Sequence, residues 1–146
     1  MPFRFSLDAV LTYRQTVEQR ESLALDRIVY EMANLKRQLR EAEVSSAAQI
    51  RGRDAELAAG VQSASLRDTY EQLRALERLR ESMAKRLQEL EDKRKKQQKV
   101  YELARQKREI LDQLRTERRN LYMRQQTKKQ QAMLDDLFLA KHIRRR

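Results

Sequence analysis

The chain has 146 residues, 38% of them charged and 5% aromatic, with two glycines, one proline, no cysteine and a formal net charge of +11. That length suits one globular domain, but so few turn residues allow few chain reversals, which excludes an ordinary multi-loop bundle and, more firmly, a strand-rich fold. Disulfide frameworks and thiolate chemistry are excluded too, and disorder is disfavoured because the 40% of hydrophobic residues keep a helical period.

Phe3 and Phe5 open the chain, and Ser6 ahead of Leu7 and Asp8 reads as a helix N-cap. Leu7, Val10 and Val17 begin an apolar stripe interrupted by Arg14 and Glu21. Leu25, Ile28, Met32, Leu35, Leu39 and Ala42 then step 3-4-3-4-3, the cleanest heptad run in the chain. After Val44 the residues turn small, through Ser45, Ser46, Ala47 and Ala48 to Gly52, then on to Ala58, Ala59 and Gly60. Pairing should be weakest there. Gly ends helices well, so the reversal is expected near Gly60 to Ser65. Gly52 is the alternative turn, with Arg53 to Ala59 as a separate short helix.

From Ser65 to about Ala140 there is no Gly and no Pro, and the stretch reads as one helix on the order of 110 Å long. Ser65 followed by Asp68 marks its start, the hydroxyl as cap and the carboxylate near the positive dipole end. Leu66, Tyr70, Leu73, Leu76, Met83, Leu87 and Leu90, then Val100, Leu103, Ile110, Leu114 and Leu121, recur at three- and four-residue steps and predict the seam. Polar residues fall along these stripes. Arg14, Glu21, Lys93, Lys107 and Glu117 are candidates for setting register across the hairpin.

The expected fold is all-α, a single long antiparallel two-helix coiled-coil hairpin over residues 1–146 whose second helix is longer and overhangs at the C-terminus. Helix one is expected at about 6–58, the turn at about 59–65, helix two at about 65–140 and a basic tail at 141–146. Folding at the reversal leaves roughly Tyr122 to Arg146 unpaired. Leu134, Leu137, Phe138, Leu139 and Ile143 would then form an exposed partner-binding surface.

Charge is unevenly placed. Residues 1–65 carry nine basic and nine acidic side chains, whereas Lys93 through Lys129 hold fourteen Lys or Arg against Glu102, Glu109, Asp112 and Glu117, a net +10. Such a helix offers a positive surface to an acidic partner. Nucleic acid is not the favoured one, since Tyr13, Tyr30, Tyr70, Tyr101 and Tyr122 are scattered instead of sharing one stacking groove.

Catalytic chemistry has no foothold. His142 sits in the basic tail, and Asp135 with Asp136, Glu89, and Glu91 with Asp92 are helix-surface charges with no His or Cys nearby to complete a metal set. Two isolated glycines build no phosphate loop. No enzyme activity, metal, cofactor or small-molecule substrate is expected. Neither a membrane-spanning apolar run nor a secretory leader is visible, so a soluble cytoplasmic protein is expected.

The opening from Phe3 through Ser6, Leu7, Asp8 and Tyr13 to Arg14 resembles the start of flagellar FliJ proteins. Glu117-Arg118-Arg119-Asn120-Leu121-Tyr122 and the run from Gln130 to Leu137 resemble that family's end, and Tyr70-Glu71-Gln72-Leu73 its tyrosine-containing stretch past the turn. One departure is Glu77, where the family carries an apolar residue seven after the tyrosine. The resemblance implies a noncatalytic component of the flagellar type III export apparatus, peripherally associated with its membrane-embedded part and built like the central stalk of rotary ATPases. It implies three partners: the export ATPase hexamer, whose pore the termini enter, the cytoplasmic region of the export-gate membrane protein, and substrate chaperones. On this reading Arg118, Arg119, Arg124, Lys128, Lys129, Arg144, Arg145 and Arg146 face acidic loops of the ATPase, and Tyr70 and Leu73 face the export gate. The alternatives are an injectisome secretion stalk, a structural coiled-coil dimer and a nonspecific nucleic-acid-binding rod.

Overall fold

A computed structural model describes residues 2–60 and 63–145, with the side chains of residues 63–65 left aside. Two helices account for nearly all of them, α1 over Asp8–Ala58 (51 residues) and α2 over Ser63–Arg144 (82 residues). The fold is all-α, two long helices packed against each other as an antiparallel hairpin, with no strand among the described residues. Contacts cluster into two compact units: Met1–Arg20 with Glu102–Arg146, and Glu21–Tyr101.

The end of α1 shows how the chain stops being helical. The Ala59 N–H still reaches the Ala55 carbonyl at 3.1 Å, the Gly60 N–H reaches Leu57 at 3.3 Å, and Gly60 takes φ of 78°. That left-handed conformation costs an L side chain but not glycine, which makes Gly60 the helix-terminating residue. Gly52 lies inside α1. The proposed cap at Ser65 lies outside the described side chains. Helix two differs at its far end, since Lys141, His142, Ile143 and Arg144, expected as a tail, continue α2.

In the unit Glu21–Tyr101 the paired segments run antiparallel, with Arg86 meeting Glu31 at 3.4 Å and Arg80 meeting Glu43 at 3.5 Å. Leu25, Ile28, Met32, Leu35, Leu39 and Ala42 are buried or half-buried, as their 3-4 spacing predicts, and Leu90 is 1% exposed. Toward the turn the seam weakens. Gln49 Oε1, Arg53 Nε and Glu56 Oε2 are each buried without a hydrogen-bond partner, an arrangement that costs free energy where the small residues bury little apolar surface to offset it.

The unit Met1–Arg20 with Glu102–Arg146 pairs antiparallel as well, Phe3 against Tyr122 and Glu18 against Arg108. Leu11, 2% exposed, is its most buried large side chain, and Val10, expected on the seam, is exposed. Ser6 precedes the helix instead of sitting at its boundary. Its hydroxyl accepts a hydrogen bond from Arg118 Nη1 at 2.9 Å, while the Asp8 N–H donates to the Phe5 carbonyl.

On α2 the seam beyond Leu90 departs from the sequence expectation. Continuing the 4-3 steps from Leu90 gives Arg94, Gln97, Tyr101, Ala104, Arg108 and Leu111, and all of these are buried or half-buried, as is Leu114, which was expected on the seam. Val100, Leu103, Ile110 and Leu121 are exposed instead, as is Tyr70. Uninterrupted heptad phase outweighs local hydrophobicity here, because α1 supplies polar side chains at the matching levels. Gln97 Nε2 donates to the Glu21 carboxylate at 2.6 Å and to its carbonyl at 3.1 Å. Arg108 donates to both oxygens of Glu18 and, through Nη1, to Asp112 at 2.7 Å. The expected register setters therefore change: Glu21 pairs with Gln97, the pair Glu18 and Arg108 was missed, and Lys93, Lys107 and Glu117 are exposed.

Candidate functional site

Two surfaces collect the candidate residues, one in each unit. In the first, Phe3 and Phe5 anchor the segment that precedes α1 against α2. The Phe3 and Tyr122 rings lie 5.6 Å apart, Phe5 is buried, and the Arg118 guanidinium sits 5.6 Å over the Phe5 ring while bonding Ser6. Cation–π contact and hydrogen bond together hold Arg118 within the chain. Arg119, Arg124, Lys128 and Lys129 are exposed on α2 beyond this clasp.

From Thr127 to Arg145 every residue is exposed, so α2 continues there without α1 beside it. Met133, Leu134, Leu137, Phe138, Leu139 and Ile143 all lie on this run, and Phe138 stacks on His142 with centroids 6.4 Å apart. Arg144 ends α2, Arg145 donates its N–H to Lys141, and Arg146 lies outside the described residues. Large apolar side chains interleaved with cations give an amphiphilic surface suited to an acidic, partly apolar protein partner. The cations also complement the negative end of the helix dipole.

In the second unit, Tyr70 and Leu73 line a shallow groove with Ser46, Ile50, Arg53, Arg74, Glu77 and Arg80. Tyr70 is exposed, with Arg74 stacked 5.2 Å over its ring, and Leu73 is half-buried. Three guanidinium groups and one carboxylate line the groove, and two of the guanidiniums reach carboxylates beyond the lining, Arg80 to Glu43 at 3.5 Å and Arg53 to Asp54 at 3.9 Å. Glu77, the departure from the family pattern, lies within it.

The strongest electrostatic sites serve the fold. The hydrogen bonds that Arg108 donates to Glu18 first, and to Asp112 second, hold its guanidinium above its ordinary pKa. Arg94 forks onto Glu91 at 2.6 and 3.0 Å, and that hydrogen bonding holds the Glu91 carboxyl below its usual range. Among the described residues no three His, Asp or Glu side chains gather as a metal-ligand group, and no helix is long and apolar enough to cross a membrane.

The family model of the flagellar FliJ protein matches residues 3–146. The chain belongs to the FliJ family. Membership makes it a component of flagellar protein export, within a family that is noncatalytic. No match was found among the curated proteins or among the solved structures. The FliJ match spans both candidate surfaces, the clasp with the unpaired end of α2 and the groove at Tyr70. Sequence reading found the exposed cations through their charge. It missed Phe5 and Ser6 as the partners of Arg118, although the two early phenylalanines were a signal.

Proposed function

We propose that this FliJ-family chain is a stalk-like adaptor that binds the flagellar export ATPase ring and links it to the export gate and to substrate chaperones. The observation that carries the reading is the free C-terminal run of α2, exposed from Thr127 onward and continuous with the exposed cations Arg119 and Arg124. A subunit seated among several similar acidic sites benefits from such a surface, because screened ion pairs hold position without locking onto one neighbour. Arg118 holds the clasp, so the ring-facing charge falls to Arg119, Arg124, Lys128, Lys129, Arg144, Arg145 and Arg146. The groove at Tyr70 and Leu73 is the gate-facing surface on this reading, and the family match supports the flagellar machine over its injectisome counterpart.

The test is ATP hydrolysis by the purified export ATPase with the chain added. Reversing Arg119, Arg124, Lys128 and Lys129 to Glu should abolish stimulation while circular dichroism shows unchanged helicity. Stimulation that survives all four reversals would overturn the assignment. A steep salt-dependent affinity for DNA, with no effect on the ATPase, would favour a nucleic-acid-binding role.

A further inference from the structure

Toward the turn the two sides of the seam differ in kind. On α2 the half-buried residues are Leu66, Thr69, Leu73 and Leu76, and on α1 they are Ser46, Gln49, Arg53 and Glu56. Both sets keep the 3-4 steps of the seam, and counting from the pair of Glu43 and Arg80 toward the turn brings them to the same levels. Leucine therefore faces a polar side chain at three of the four levels. Counting the other way, Leu39, Leu35 and Met32 come level with Met83, Leu87 and Leu90, and all six are buried or half-buried. The large apolar side chains that α1 carries near the turn, Val44, Ile50 and Leu57, are exposed. The mismatch is thus confined to the tip of the hairpin.

We infer that α1 from Ser46 to Ala58 is a lid, which lifts from α2 in a local opening of the tip and uncovers a leucine face at Leu66, Leu73 and Leu76, while Leu25 to Ala42 stay paired. The driving force lies on α1. Gln49 Oε1, Arg53 Nε and Glu56 Oε2 are closed off from solvent with no hydrogen-bond partner among the described residues, and Arg53 reaches Asp54 only at 3.9 Å, through Nη2. Each of these atoms gains hydrogen bonds to water when the helices part, which repays much of the apolar surface exposed on the other side. They stand at three successive seam levels, so all favour the same motion. Ser46 and Gly52 are weak helix formers in the same stretch, which lowers the cost of fraying it. Opening changes what any partner at the groove meets, because Leu73 lies in both the groove and the uncovered face. It does not depend on which partner that is.

Native-state hydrogen exchange on the full chain, read by mass spectrometry, tests the lid. Amides of residues 46–58 should exchange at least about a hundredfold faster than those of residues 28–42. Helix ends also fray for ordinary reasons, so the deciding comparison is a chain carrying Gln49→Leu, Arg53→Leu and Glu56→Leu, in which the underside of the lid matches the leucines. Exchange in residues 46–58 should then slow by about tenfold or more, with residues 28–42 unchanged. The uncovered face is read separately. The chain has no cysteine, so Leu73→Cys supplies a single thiol, whose labelling by a soluble reagent should slow by a similar factor when the three leucines are added. Equal protection of the two stretches in the wild-type chain overturns the inference. So does fast exchange that the three substitutions leave unchanged, which is ordinary fraying, and so does labelling at position 73 that is indifferent to them. None of these readouts involves the ATPase or the export gate, so failure here leaves the stalk reading standing.

Discussion

Arg108 occupies a seam position where a leucine would ordinarily pack. It is retained through geometry: a planar fork on both oxygens of Glu18, with the remaining amino group on Asp112, leaves few donors unsatisfied in a half-buried setting. Glu18 is the more covered partner, at 17% side-chain exposure against 25% for Arg108. Removing the cation therefore strands a carboxylate with little water to replace it. Arg108→Leu is expected to lower unfolding free energy by about 2 kcal/mol, below the range for fully buried pairs because both groups keep some solvent. Arg108→Leu combined with Glu18→Leu should recover most of that loss, since two apolar residues then fill the layer. Urea denaturation of the three variants measures both. Equal destabilisation by the single and double changes would mean that the pair is not coupled. Within its own unit, Gln97 on Glu21 uses the same logic with a neutral donor, bridging a carbonyl and a carboxylate.

Each α-helix shows where sequence patterns inform and where they mislead. The run from Leu25 to Ala42 was legible because a large or buried apolar side chain stands at nearly every seam step and no competing stripe runs beside it. Beyond Leu90 two stripes compete. Val100, Leu103, Ile110 and Leu121 keep 3-4 spacing in one phase, and Arg94, Gln97, Tyr101, Ala104, Arg108 and Leu111 keep it in the phase of Leu90. Hydrophobicity within α2 favours the first, and only Glu18 and Glu21 on α1 decide for the second. Arg118 was unreadable as a clasp residue for a related reason, because Ser6 lies 112 positions away in sequence. The glycines were half legible: both permit a turn, and backbone conformation separates them. Gly52 is helical with open space where a Cβ would stand, whereas Gly60 has φ of +78°. Gly52→Ala is expected to raise stability by about 0.5–1 kcal/mol through helix propensity and a less flexible unfolded chain. Gly60→Ala should lower it by about 1 kcal/mol through left-handed strain. Thermal melts of the two variants should shift in opposite directions, and shifts of the same sign would place the reversal elsewhere.

For the molecule as a whole, the two helices bury one another only in part. Leu79 in one unit, and Leu103 and Ile110 in the other, are 50%, 53% and 63% exposed, as a two-helix pairing with no third layer requires. Much of the surface is available to partners, and the part least tied to folding is the end of α2 beyond Gln126. No residue from Thr127 to Arg145 is covered, and the interhelical hydrogen bonds and ring contacts described above end at Tyr122. Deleting 127–146 removes Lys128, Lys129 and the terminal arginines without uncovering the clasp, so the melting temperature should change by no more than about 2 °C. On the stalk reading the same deletion should abolish stimulation of the export ATPase. A deletion that lowers the melting temperature sharply would mean that the free end is packed after all. One that preserves both stability and stimulation would move ring binding to Arg119, Arg124 or the clasp itself. Loss of stimulation with stability intact is the combination that separates a surface kept for a partner from one kept for the fold.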